Sequence, residues 1–152
     1  MDSPIACWRD RVVSRARFLG DIACIARQLP AARFIVNLCE DRYRFLAAFA
    51  AVGVNGQTNL LPSSRATLHL QQLAEDYPDS RSVTDQDIEE WVAAGVADNA
   101  PPSAPALPVD HLMAVAFTSG STGRAKPNLK YWGELVSGAQ QARQRFGFKA
   151  GS

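Results

Sequence analysis

Apolar residues recur along this chain at two different spacings, and the places where the spacing changes divide it into short strands and helices. Residues 5–7 and 12–13 flank the polar Trp8-Arg9-Asp10-Arg11 and predict a small hairpin. From Ser14 onward the period lengthens. Phe18, Leu19, Ile22, Ile25, Ala26 and Leu29 return every three or four positions, which puts them on one stripe of a helix that Ser14 precedes and Pro30 ends. A stripe of that width needs a sheet to cover. Residues 34–39, Phe-Ile-Val-Asn-Leu-Cys, supply strand formers for it.

The alternation then repeats. A second helix is expected over 41–52, with Tyr43, Leu46, Ala47 and Ala50 inward, followed by turn residues Gly53-Val54-Asn55-Gly56 and a strand over 57–61 that Pro62 breaks. Ser63 or Ser64 is placed to cap a third helix that carries Leu68 and Leu73 and stops at Tyr77-Pro78-Asp79. Residues 81–84 predict a short strand, and Asp85 a cap for a helix over 86–94 with Ile88, Trp91 and Val92 on its apolar face. Four prolines between 99 and 108 mark residues 97–108 as a surface loop, because proline supplies no donor to a regular ladder. Residues 112–117 then predict a buried strand, and 132–146 a helix with Leu135, Val136, Ala139 and Phe146 on one side and Gly147 as its stop. The expectation is a single α/β domain over 1–150, with an incomplete sheet and flanking helices.

Composition narrows the function classes. The 152 residues carry 16 Lys+Arg against 15 Asp+Glu, a net charge of +1, so no broad basic surface exists for nucleic acid. Arg143, Arg145 and Lys149 fall at the end of the last helix, where cations complement the helix dipole. No window reaches 18 uninterrupted apolar residues, and no secretory h-region opens the chain. Cys7, Cys24 and Cys39 lack CxxC spacing, and their number fits a reducing, cytoplasmic setting better than a disulfide framework. His69 and His111 have no neighbouring ligands. Asp85, Asp87, Glu89 and Glu90 point in different directions around a helix, so capping and a solvated face account for them without a metal.

The chemical signal lies after the buried strand, in Thr118-Ser119-Gly120-Ser121-Thr122-Gly123-Arg124-Ala125-Lys126-Pro127. Two glycines admit close main-chain approach, four hydroxyls and successive amides donate to phosphate oxygens, and Lys126 adds a mobile cation. The segment is not a Walker A loop, because Ala125 stands where the second glycine is needed and Pro127 follows the lysine. It is not GxGxxG either.

Thr118 to Lys126 closely resembles the phosphate-binding loop of the adenylate-forming enzymes, the superfamily of acyl- and aryl-CoA synthetases, whose loop runs [ST]-[ST]-G-[ST]-T-G-x-P-K-G. Ala125 and Pro127 depart from that pattern, and Lys130-Tyr131-Trp132 stands where the family has a Thr-His pair. Weaker likeness extends through Cys7-Trp8-Arg9 with residues 12–18, residues 49–62 and residues 70–85. The Trp132-Gly133-Glu134-Leu135 variant resembles a branch associated with aryl-polyene pigments such as xanthomonadins.

The resemblance implies the N-terminal portion of a ligase's large domain, with an incomplete sheet. It implies ATP and Mg2+ as cofactors of the intact parent, with a carboxylic acid and CoA or an acyl carrier protein as its partners. Thr118, Ser119, Gly120, Ser121, Thr122, Gly123 and Lys126 would then bind phosphate, with Lys126 also catalytic through its charge. The family's remaining ATP and magnesium residues lie downstream of such a loop, so the segment by itself is expected to be inactive. The rival expectation is a noncatalytic ligase-like module that docks on a complementary C-terminal segment or on a second copy of itself.

Overall fold

The computed structural model describes residues 4–9, 11–95, 106–118 and 125–147. Most of the proline-rich loop and residues Ser119, Gly120, Ser121, Thr122 and Gly123 of the phosphate-loop motif lie outside the described residues. The expected hairpin is present as β1 (Pro4–Trp8) and β2 (Arg11–Ser14), paired antiparallel. Ser14 ends it and caps α1 (Arg15–Gln28), its side chain accepting from the Arg17 amide. There follow β3 (Phe34–Asn37), α2 (Arg42–Val54), β4 (Thr58–Leu61), α3 (Thr67–Asp76), β5 (Ser80–Val83), α4 (Asp85–Ala94), β6 (Leu112–Thr118), β7 (Lys126–Tyr131) and α5 (Trp132–Phe146).

Strands β3 to β7 form one sheet in the order β5-β3-β4-β6-β7, parallel except for β7, which runs antiparallel to β6. The connections reverse direction and face together. The chain goes from β3 to β4 through α2 on one face, back to β5 through α3 on the other, and forward to β6 through α4 on the first. Reversing both keeps one crossover hand, which is the constraint on parallel strands. Ile22 and Ile25 of α1, Ala47, Ala48, Ala51 and Val52 of α2 and Ile88 of α4 bury Ile35 and Val83 on the first face. On the second, Leu73 of α3 meets Val36, Leu60 and Val115, with Tyr77 set edge-on to Phe34 and Phe117.

Helix α2 lies close because its sheet-facing residues are small and because two asparagines receive it. Asn37 Nδ2 donates to the Phe45 carbonyl at 3.2 Å, and the fully buried Asn59 donates from Nδ2 to the Phe49 and Met113 carbonyls, each at 3.1 Å. The Asn37 Oδ1 accepts from the Cys39 amide and turns the backbone, which is why β3 stops at Asn37 rather than Cys39. The first hairpin is fastened to the same helix. Trp8 stacks on Tyr43 and donates from Nε1 to Asp41 at 2.7 Å, and Asp41 is also the α2 N-cap, accepting from the Arg44 amide.

Four expectations change. Leu46 is exposed (46%), because the stripe that meets the sheet is centred on Ala47, Ala48, Ala51 and Val52. Neither Ser63 nor Ser64 caps α3; its N-cap is Ala66, and Ser64 Oγ takes the Ala66 amide in the turn before it. Asp85 does not cap α4. Thr84 does, in a capping box with Asp87, while the Asp85 carboxylate accepts the amides of Glu40 and Asp41 and ties α4 to the start of α2. Strand β7 has no counterpart in the sequence reading, since its Lys126, Pro127 and Lys130 are edge-strand residues rather than strand formers.

Two outcomes follow. Asn59→Ala strands carbonyl oxygens in the core and lowers stability by about 1–3 kcal/mol, measured as a lower urea midpoint at unchanged slope. For Asp41, partial burial opposes the charged form. The bond from Trp8, the Arg44 and Tyr43 amides and the Arg44 charge outweigh it and hold the carboxyl below its ordinary value. Its contribution is therefore complete above the unfolded value of about 4 and is lost as pH falls through the lower folded value. Asp41→Asn flattens that acid limb in urea titrations across pH.

Candidate functional site

The carboxyl ends of β3, β4 and β6 lie along one edge of the sheet, and three loops leave from it. Open parallel sheets bind ligands at this edge, in the crevice where neighbouring connections depart to opposite faces. Here that crevice falls between β3, whose chain leaves into α2, and β4, whose chain leaves into α3. Arg65 spans it. Its guanidinium pairs with Glu40 and donates to the Cys39 carbonyl at 2.9 Å. Farther along the edge, a cavity of about 180 Å³ opens between α3 and the end of β6, lined by Ser63, Ser64, His69, Asp76, Phe117 and Ala125.

The motif sits at the far end of this edge. Thr118 closes β6, Lys126 opens β7, and the two are register partners, with Thr118 Oγ1 donating to the Lys126 carbonyl at 3.5 Å. The motif therefore joins two antiparallel neighbours, β6 and β7. Both of its described ends are exposed, and Ala125 joins the wall of the cavity. Ser119, Gly120, Ser121, Thr122 and Gly123 lie outside the described residues, so of the expected phosphate-binding set the structure brings together Thr118 and Lys126. Arg65, His69 and Asp76 were not singled out for this site from sequence. No local pattern marks them, because the β4-to-β6 pairing is what sets the segment after β4 beside the end of β6.

The other chemically capable side chains are engaged in structure. A second cavity, of about 230 Å³ among α1, α2 and α4, is lined by Arg17, Asp21, Tyr43, Arg44 and Glu89. Its charges are paired: Asp21 accepts from Arg17 Nε at 2.9 Å and from the Tyr43 hydroxyl at 2.7 Å, and Arg44 pairs with Glu89 at 2.7 Å. Burial, and then the bond to Asp21, push the Tyr43 hydroxyl above its ordinary range, so it holds its proton. Burial pushes the Cys39 thiol up to about 12 and makes it a poor nucleophile. His111 approaches the Gln57 carbonyl at 3.2 Å, a structural contact. Among the described residues no group of three or more His, Cys, Asp or Glu is arranged to hold a metal, and no helix is long and apolar enough to cross a membrane.

No protein-family model matches the chain, and no curated protein does. Solved structures match its fold. Apo MatB from Rhodopseudomonas palustris superposes with a TM-score of 0.72 over 91% of this chain at 16% identity. A double mutant of o-succinylbenzoate CoA synthetase (MenE) from Bacillus subtilis, bound with the product analogue OSB-NCoA, gives 0.78 over 97% at 17% identity. The same synthetase in complex with ATP and magnesium ion gives 0.72 at 13% identity. This chain spans 33% of the MatB chain and 34% of the double-mutant chain. The α/β fold, a five-stranded sheet with flanking helices, is thus shared with a portion of these structures, as the motif led one to expect.

The two described free cysteines should separate chemically. In the native chain iodoacetamide alkylates the half-buried Cys24 before Cys39, and Cys39 reacts at a comparable rate only after unfolding; peptide mass spectrometry follows both.

Proposed function

We propose that this chain is the phosphate-binding portion of an ATP-dependent, AMP-forming acid–thiol ligase. The observation that carries the reading is the coincidence of a Thr118-to-Lys126 motif with the hairpin turn at the ligand-binding edge of a fold shared with an ATP- and magnesium-bound CoA synthetase. Motif and fold are independent, since the identity to those structures is 13–17%.

In the reaction, a carboxylate oxygen attacks the α-phosphorus of ATP and pyrophosphate leaves, giving an acyl-adenylate. A thiol then attacks the acyl carbon, loses its proton, and AMP departs. Ser119, Ser121, Thr122 and the amides around Gly120 and Gly123 donate to the β- and γ-phosphate oxygens. Those bonds strengthen as charge moves onto pyrophosphate, and Lys126 adds a full positive charge there, so the loop works electrostatically rather than by proton transfer. When bound with the nucleotide, Mg2+ would neutralise phosphate charge.

The chain alone carries one phosphate element, and adenylation needs several groups held together to within fractions of an ångström. It is therefore inactive by itself. The acid, the choice between CoA and a carrier protein, and the pigment branch drawn from Trp132 to Leu135 belong to the parent activity. Ranked below this reading is a noncatalytic ligase-like module, which the phosphate motif disfavours.

Pyrophosphate titrated into the isolated chain should shift the Thr118 and Lys126 amide resonances at millimolar levels, without ATP–pyrophosphate exchange. In a chain that also carries the remaining ligase portion, Lys126→Ala should lower exchange by about tenfold or more. Unchanged exchange would remove Lys126 from the mechanism. Exchange by the isolated chain, abolished by Lys126→Ala, would overturn the incomplete-site account.

A further inference from the structure

The cavity among α1, α2 and α4 lies against the β3 and β5 end of the sheet, away from the β6 and β7 end that carries the motif. Its floor is apolar: Ile25, Ala47 and Ile88 line it and are at most 2% exposed. Its polar wall is made by two ion pairs and a tyrosine, and the two pairs are not equivalent. The Asp21 carboxylate is filled. Its oxygens accept from Arg17 Nε at 2.9 and 3.1 Å, and one of them also takes the Tyr43 hydroxyl at 2.7 Å. With three bonds on it and its charge matched by Arg17, Asp21 offers little to a cationic ligand.

Arg44 differs. Its side chain is 11% exposed, yet among the described residues its guanidinium has one ion-pair partner, Glu89, held through Nη2 at 2.7 Å, and the Glu89 side chain is 64% exposed. A guanidinium carries five N–H donors in a planar fork that suits a carboxylate. The donors that Glu89 leaves over are not among the buried side-chain atoms without a partner, which are Gln57 Oε1 and Asn59 Oδ1, so they open to space. The space that Arg44 lines is this cavity. We propose that the cavity is a binding site for a small monocarboxylate with an apolar body, the carboxylate received by Arg44 and the body resting on Ile25, Ala47 and Ile88. Size sets the body. A dry cavity of roughly 150 Å³ holds benzene, so about 230 Å³ takes one ring with a carboxylate attached. Charge sets the head, because one negative charge matches the cation whose partner is exposed, whereas a phosphate would bring a second charge against Asp21 and Glu89. The ligand and Glu89 compete for the same guanidinium.

Benzoate titrated into the whole chain, followed by proton–nitrogen correlation NMR, tests the proposal. The indole N–H of Trp8, a residue of the cavity wall, should shift and saturate with a Kd on the order of a millimolar, while the Thr118 and Lys126 amides stay in place. Glu89→Gln should tighten binding severalfold, since it removes the competing charge and keeps the shape. Arg44→Gln should weaken it by about tenfold or more, and benzyl alcohol, with the same ring and no charge, should bind the wild type more weakly by a similar factor. Should Arg44→Gln fail to fold, Glu89→Gln and the alcohol still decide. A Trp8 indole that does not move, a Glu89→Gln variant that binds benzoate no better than the wild type, or an alcohol that matches benzoate overturns the proposal. Shifts confined to Thr118 and Lys126 would place the anion at the motif and overturn it as well. None of these outcomes rests on the phosphate reading of the motif, so they stand apart from the exchange measurements.

Discussion

The close seating of α2 on β3 and β4 is the constraint on which the rest of this fold depends. Ala47, Ala48 and Ala51 remove the side-chain bulk that would hold the helix away, and Asn37 and Asn59 use the space by reaching the Phe45 and Phe49 carbonyls. A buried amide is costly unless bonded. Asn59 meets that cost on its donor side by bonding both the helix and the neighbouring strand β6, so one side chain fixes the helix height and the β4–β6 pairing together. The hairpin and α4 then register on the same helix, through Trp8 to Asp41 and through Asp85 to the Glu40 and Asp41 amides.

That seating reaches the functional edge through the strands. With β4 and β6 held in register, the turn after β4 and the hairpin loop after β6 emerge side by side, and the cavity between α3 and Phe117 lies where they meet. Antiparallel β7 pairs with β6 on the far side of the motif, so Thr118 and Lys126 are register partners.

The two faces of the sheet differ in how completely they are closed. Three helices cover the first face, whereas α3 and Tyr77 cover the second, and Leu129 at the β7 edge is 46% exposed. The solved structures with this fold continue through roughly twice as much further chain. An α/β layer of this kind reaches full burial only when polypeptide from elsewhere lies against its open side.

Local pattern made most of the elements legible: the hairpin, α1 with its Ser14 cap, the three parallel strands found as apolar runs, and α5 over its whole length. The motif, too, is a matter of local sequence, since its glycines, hydroxyls and lysine are read without reference to packing. Pattern failed where a side chain's partner is remote in sequence. Asp85 looks like a helix cap and instead holds amides 44 and 45 residues away, and Leu46 looks inward on a helical wheel until the position of the sheet is known. Strand β7 was invisible because its residues are chosen for an edge, where lysine and proline are favoured over strand formers. Only the tertiary structure decided that Arg65, His69 and Asp76 stand at the edge where the motif emerges, since parallel strands bring together loops separated by more than fifty residues, and no local propensity encodes that meeting.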